Sequence, residues 1–294
     1  MVQVVIINDF LEGLYSLVID ILKNLAGSLV WAVVAFVAVY FYNIFTNWFY
    51  KRKFYKSTRL KINPKQEKLS VQCFIANSGK YDENEKVYLG YPFEYMASAS
   101  INSYLSLIIK NVDMSTTSCP LKVLEIEKVD KNNDLILLGG PFHNKLTKLF
   151  FGLSKENTNI PFYFDTYEGE ETTLFYKNEK DVNYKTVKPI KDPIGNYYCE
   201  DYGLILNVKN PYNPNKRIIA IMGCRSIGVL GATLAFTTFN KEMIKKVDYD
   251  EYAVVVKCYG DQNNVNLDRP LEHVASVELD SISLNQLIKL DETE

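Results

Sequence analysis

Two short runs, LILLG at 135–139 and IIAIMG at 218–223, are wholly apolar up to the glycine that ends each of them. An exposed helix needs a polar face, whereas a strand covered on both sides can be apolar throughout. These runs therefore predict central strands of a sheet packed between layers. KLSVQCFIA (68–76), YGLILNV (202–208), YAVVVKCYG (252–260) and HVASVELD (273–280) predict further strands, and LKVLEIEKV (121–129) alternates as a strand would. Between them, FEYMASASINSYLSLIIKN (93–111) sets Met96, Ile101, Leu105, Ile108 and Ile109 at helical spacing, and a second helix is predicted over roughly 228–246. PFHNKLTKLFFG predicts a short helix begun by Pro141 and stopped by Gly152. Residues 160–200 read as short strands of a β insertion, and no internal repeat is visible. Strands alternating with helices imply an α/β domain over 68–294, doubly wound around a mostly parallel sheet.

The N-terminal part reads differently. Residues 24–50 carry no charge, and roughly 20 apolar residues suffice to cross a bilayer as a helix. Tyr40, Phe41, Tyr42, Trp48, Phe49 and Tyr50 gather at one end, followed by Lys51, Arg52, Lys53, Lys56, Arg59 and Lys61, while Asp9, Glu12 and Asp20 precede the run. Aromatic rings favour the interface and basic residues favour the inner side. The expectation is an uncleaved single-pass transmembrane helix at 24–50, with an amphipathic or anchor-extending segment at 1–23 and a basic juxtamembrane linker at 51–67. The lipid bilayer is then a partner, with the N-terminus outside, the chain in the cell membrane and the 68–294 domain cytoplasmic. Ala32, Ala35 and Ala38 offer small residues for helix–helix association into a homo-oligomer.

A net charge of −2 from 33 basic and 35 acidic residues gives no global pull toward nucleic acid, and none is expected as a partner. The cysteines at 73, 119, 199, 224 and 258 are scattered, and with two histidines in the chain no zinc-site spacing occurs, so no metal is expected. No Asn-x-Ser/Thr sequon is present, which agrees with buried thiols in a reducing compartment.

Candidate binding residues lie on two glycine turns at the ends of the apolar runs, because ligands of open α/β sheets sit outside the C-terminal ends of the strands. In Gly139-Gly140-Pro141-Phe142-His143-Asn144, glycine lets backbone approach a ligand and Asn144 can add a hydrogen bond. In GCRSIGVLG, Gly223, Gly228 and Gly231 match neither the GxGxxG fingerprint nor a P-loop, yet Arg225 and Ser226 supply a cation and a hydroxyl for a phosphate or carboxylate. His143 reads as a turn histidine. Glu94, at the start of the first long helix, reads as a nucleophile, a ribose ligand or a first-turn acid. Glu200 and Asp201 precede their strand, at the wrong edge for a site unless that strand runs antiparallel, and NPYNPNK (210–216) reads as a loop able to cover the crevice.

The segments GGPFHN and DYGLI…NPYNP…IIAIMGCRSIGVLGA resemble those of uncharacterised prokaryotic Rossmann-like domains, some labelled surface-layer proteins. More distantly they are similar to the nucleoside deoxyribosyltransferase, TIR and SLOG nucleotide-handling group. The resemblance implies a Rossmann-like fold and a nucleotide-type ligand over the two turns, with an acid such as Glu94 as the nucleophile if the protein is an enzyme. The combined expectation is a membrane-anchored cytosolic nucleotide sensor or effector. Two alternatives stay open: an enzyme cleaving N-glycosidic bonds, and a non-enzymatic envelope or scaffold protein.

Overall fold

The computed structural model describes residues 2–62, 68–82, 87–152, 154–167, 171–177, 182–185, 187–191, 197–237, 249–260 and 271–290. The chain divides into two compact units, Met1–Arg52 and Lys53–Glu294. Helix α1 (Val2–Thr58) supplies the first unit and enters the second. In chain order there follow β1 (Lys68–Ile75), β2 (Asn77–Asp82), β3 (Val87–Gly90), α2 (Pro92–Ile108), β4 (Asn111–Ser118), α3 (Val123–Glu127), β5 (Asp134–Leu138) and α4 (Lys145–Phe151). Then come β6 (Phe162–Tyr167), β7 (Glu171–Tyr176), β8 (Val182–Lys185), β9 (Val187–Lys191), β10 (Tyr197–Asn210), β11 (Asn213–Gly223), α5 (Ser226–Thr237), β12 (Tyr252–Gly260) and β13 (Glu272–Glu278).

Among the described residues no helix is long and apolar enough to cross a membrane. This overturns the expected transmembrane anchor at 24–50, and with it the single-pass membrane location and the outward N-terminus. The apolar run is an internal stretch of a 57-residue helix rather than an element of its own. Asp20 and Lys23 precede it, and Ser28 and Thr46 within it bond back to the carbonyls of Asn24 and Tyr42. The basic cluster that set the orientation has another use. Phe54, Thr58 and Leu60 are fully buried, Arg59 donates to the Tyr249 carbonyl at 2.8 Å, and the Thr58 carbonyl accepts from Asn207 at 2.8 Å. The expected juxtamembrane linker therefore begins the folded second unit.

The main sheet runs β13-β12-β10-β11-β5-β1-β4, with β9 beside the first residues of β10. Strands β4, β1, β5 and β11 are mutually parallel, but β10 is antiparallel to β11 and to β12, and β12 to β13. The expected mostly parallel sheet is thus a mixed one, and the fold is mixed α/β. An apolar run buried on both faces carries no mark of its direction, so RIIAIMG and YGLILNV were compatible with either sense. NPYNPNK turns out to join β10 to β11 as a hairpin, which puts it at the edge away from the C-terminal ends of β5 and β11. There Asn210 donates to the carbonyls of Lys131 and Asn133, so that segment closes a turn and does not cover the crevice.

Alternation along each strand divides the apolar residues between two faces. One face carries Val71, Cys73, Ile136, Leu138, Ile219, Ile221, Val254 and Val256 under α2 and α5. The other carries Phe74, Leu135, Leu137, Ile218, Ala220, Leu204, Leu206 and Val255 under α4 and the β6–β7 hairpin, through Leu146, Phe150, Phe162 and Leu174. Burying each of the Val, Leu, Ile and Phe side chains among them contributes about 2 kcal/mol. Strands β6, β7 and β8 form a small sheet of their own within the region expected as a β insertion. The predicted strand at 121–129 is instead the short helix α3, which follows edge strand β4 in the chain, and the part of the predicted second helix beyond Thr237 lies outside the described residues.

Candidate functional site

From β1 the chain crosses through α2 to β4 on one side, then returns to β5 on the other side of β1. Strand order reverses there, and crevices open at such points beyond the strand ends. A cavity of about 280 Å³ occupies this place, lined by Ala76 after β1, Tyr91 and Glu94 at α2, Gly140–His143 after β5, and Gly223–Ser226 after β11. Phe164 and Thr172 of the β6–β7 hairpin and Val229 of α5 complete it. The two glycine turns face one cavity, as a shared site requires.

The first turn is held by backbone. Gly139 has φ +97°, a left-handed conformation that glycine takes without steric cost, and its N–H donates to the Ile221 carbonyl at 3.0 Å. A Cβ there would lie 2.4 Å from that of Ala76, so the residue sits against β1 rather than on the cavity wall. The Asn77 N–H donates to the His143 carbonyl at 2.8 Å, tying this turn to the end of β1. Helix α4 starts at Lys145, not at Pro141. Its cap is Asn144, fully buried, whose Oδ1 accepts from the Thr147 N–H while its Nδ2 donates to the carbonyls of Phe74 and Leu138. Asn144 builds the turn with every polar atom of its side chain engaged. Gly140 and Pro141 do reach the cavity.

The second turn places Gly223, Arg225 and Ser226 on the wall, with the N-terminus of the 12-residue α5 behind them. A Cβ on Gly223 would meet the Arg225 carbonyl and the Val229 nitrogen at 2.4 Å, so only glycine permits the helix to start so close to the strand. Gly228 lies one layer back, against the Tyr202 carbonyl, and its N–H donates to Asp201 Oδ2 at 2.6 Å. Because β10 is antiparallel to β11, Asp201 arrives at the site edge, with Gly203 opposite Gly223. Asp201 is fully buried, and its Oδ1 accepts from the Tyr202 N–H at 2.8 Å. Burial pushes its pKa up to about 7, against the lowering effects of those two N–H groups and of Arg225.

On the far side, Tyr91 caps α2 and Pro92 opens it, which brings Glu94 into the first turn with only 3% of its surface exposed. Glu94 Oε2 is buried without a hydrogen bond. Desolvation pushes this carboxyl up to about 7, its own backbone N–H pulling weakly the other way. Below pH 7 it is a neutral acid, able to donate a proton or a hydrogen bond. Tyr91 Oη lies 3.4 Å from His143 Nδ1, with the rings edge to face at 5.3 Å. Desolvation lowers the His143 pKa, which favours the neutral ring.

Of the residues expected at the site, Glu94, Gly140, Pro141, Gly223, Arg225 and Ser226 line the cavity, whereas Gly139, Asn144 and Gly228 support it from behind. Tyr91, Phe142 and Phe164 join them. Tyr91 was signalled by the proline that follows it, the residue type favoured at a first helical position. Cys73, Cys119, Cys224 and Cys258 are buried and free, and burial raises the thiol pKa of Cys73, Cys119 and Cys224, so those three are not activated nucleophiles. Among the described residues no cluster of His, Cys, Asp and Glu could hold a metal ion. No family model matches the chain, and no characterised protein matches it in sequence.

Proposed function

We propose that the second unit binds a small phosphorylated ligand of the nucleotide type and acts as a ligand-responsive module. One observation carries this reading: two glycine turns from adjacent strands meet at one cavity that also holds Arg225 and Glu94. Arg225, Ser226 and the positive end of α5 suit a phosphate, which the small turn residues let approach backbone closely. Ligand cavities commonly hold roughly 300 to 1,000 Å³. At about 280 Å³ this one suits a mononucleotide or sugar phosphate rather than a dinucleotide.

Melting curves of the full chain across ribonucleoside mono- and diphosphates test the reading. At a ligand concentration about 100 times Kd, the stabilisation of about 2.7 kcal/mol corresponds to a rise of roughly 5–10 °C. Arg225→Ala is expected to remove most of it. No rise with any phosphate, or one unaltered in the variant, defeats the proposal.

A second reading is favoured by the unpartnered Glu94 Oε2 alone. A buried neutral carboxyl can protonate a departing base while water adds to the sugar carbon, hydrolysing an N-glycosidic bond. Base release from nucleosides or nucleoside monophosphates, lowered at least 100-fold by Glu94→Gln, is the expected result. Undiminished release in that variant would exclude the role.

A further inference from the structure

Phe142 is 60% exposed although it stands on a turn whose neighbours are fixed: Pro141 before it is buried, and the His143 carbonyl after it is bonded to Asn77. Leaving a phenylalanine largely in water forfeits favourable free energy that burial would yield. Such a cost at a cavity mouth is recovered when a ligand covers the ring. Phe142 is not alone there. The Tyr91 ring, held edge to face against His143, lines the same cavity, and Phe164 borders it from the β6–β7 hairpin. The cation and the α5 N-terminus belong to the second turn, whereas the exposed aromatic face belongs to the first. A ligand matching both needs an anionic group and a flat apolar one.

We infer that Phe142, with Tyr91, is a stacking platform for a planar heteroaromatic ring, so that the ligand is a nucleoside phosphate and not a bare sugar phosphate. The inference rests on the phosphate-binding reading and narrows it. Stacking of a base on an aromatic side chain tolerates every base, because each has a π face, and its loss on alanine substitution costs about 1–3 kcal/mol, or roughly 5- to 150-fold in affinity. Phe142 then contributes affinity and class selection, while base identity is decided by polar groups such as Glu94.

Calorimetric titrations of the full chain with the four ribonucleoside 5′-monophosphates and with ribose 5-phosphate test the assignment, using wild type, Phe142→Ala and Phe142→Tyr. At least one mononucleotide is expected to bind about tenfold or more tighter than ribose 5-phosphate. Phe142→Ala should lose about tenfold for that mononucleotide, leave ribose 5-phosphate unchanged, and regain affinity when tyrosine replaces alanine. Equal binding of the two probe classes, or a mononucleotide affinity untouched by Phe142→Ala, overturns the stacking platform while leaving the phosphate site standing. Absence of binding by every probe overturns both. Phe142 is exposed, so an unchanged melting temperature in the alanine variant shows that lost affinity is not lost folding.

Discussion

Glu94→Gln is expected to stabilise the second unit at pH 8, raising its melting temperature by roughly 6–12 °C, and to raise it by only about 2–4 °C at pH 5. The reason is linkage. Folding lifts the Glu94 pKa from 4.5 to about 7 because desolvation penalises the charge, so the folded state holds its proton where the unfolded state has released it. Stability carried by Glu94 therefore falls as pH rises through 4.5 to 7, and above 7 the full cost of about 3 kcal/mol is present. At pH 5 the cost is about 1 kcal/mol. Glutamine has nearly the same shape and stays neutral, so it removes the cost without leaving a void. A ligand that donates to the ionised carboxyl would narrow the difference between variant and wild type. Thermal denaturation of both proteins at pH 5 and pH 8 measures this, and a variant less stable than wild type at pH 8 would contradict the desolvation account.

Glu94, which destabilises its own fold at neutral pH, shares the cavity with Tyr91, His143 and Arg225, so local rules give way at the candidate site. The sequence exposed part of this. Period-two alternation and apolar runs located the strands at 68–75, 134–138, 213–223 and 252–260, and helical spacing located α2, because burial of one or both faces leaves a regular imprint. Strand β4 left a faint one: NVDMSTTS is an edge strand whose side chains are exposed or half-buried, with Val112 and Met114 alone packed as apolar residues against the core and the backbone ladder to β1 fixing the rest. LKVLEIEKV alternates, but it forms a surface turn of helix with Ile126 as its single buried residue. Period two in so short a segment is ambiguous. The pairing of the two glycine turns was legible because each ends an apolar strand. The edge at which Asp201 lies was not, since it depends on the direction of β10, which turn geometry decides and apolarity does not encode. Likewise, the charge-free run at 24–50 reports apolarity over a span, and it could not show that the basic residues after it belong to a folded unit.

At pH 4, where folded Asp201 holds its proton and burial of its charge costs little, Asp201→Ala is expected to lower the melting temperature of the second unit by roughly 4–10 °C and to weaken phosphate binding. The carboxylate accepts one N–H from the start of α5, at Gly228, and one from its own strand, at Tyr202. The Gly228 donor is buried and the Tyr202 donor half-buried beneath the turn that carries Arg225; desolvation raises the Asp201 pKa to about 7 and outweighs the pull of the Arg225 charge toward the ionised form. Each buried donor left without an acceptor costs about 1–3 kcal/mol, so alanine forfeits about 3 kcal/mol or more. Asparagine keeps one acceptor oxygen but turns an N–H₂ toward the other donor, and it should recover about half of that loss. The ordering wild type, asparagine, alanine is the diagnostic result, read by melting temperature and by phosphate affinity in parallel. Space alone predicts a different order, because asparagine matches aspartate in size and would then behave as wild type. If alanine melts within 1 °C of wild type, Asp201 does not hold the turn, and the placement of Arg225 must come from the close contacts at Gly203 and Gly223 instead.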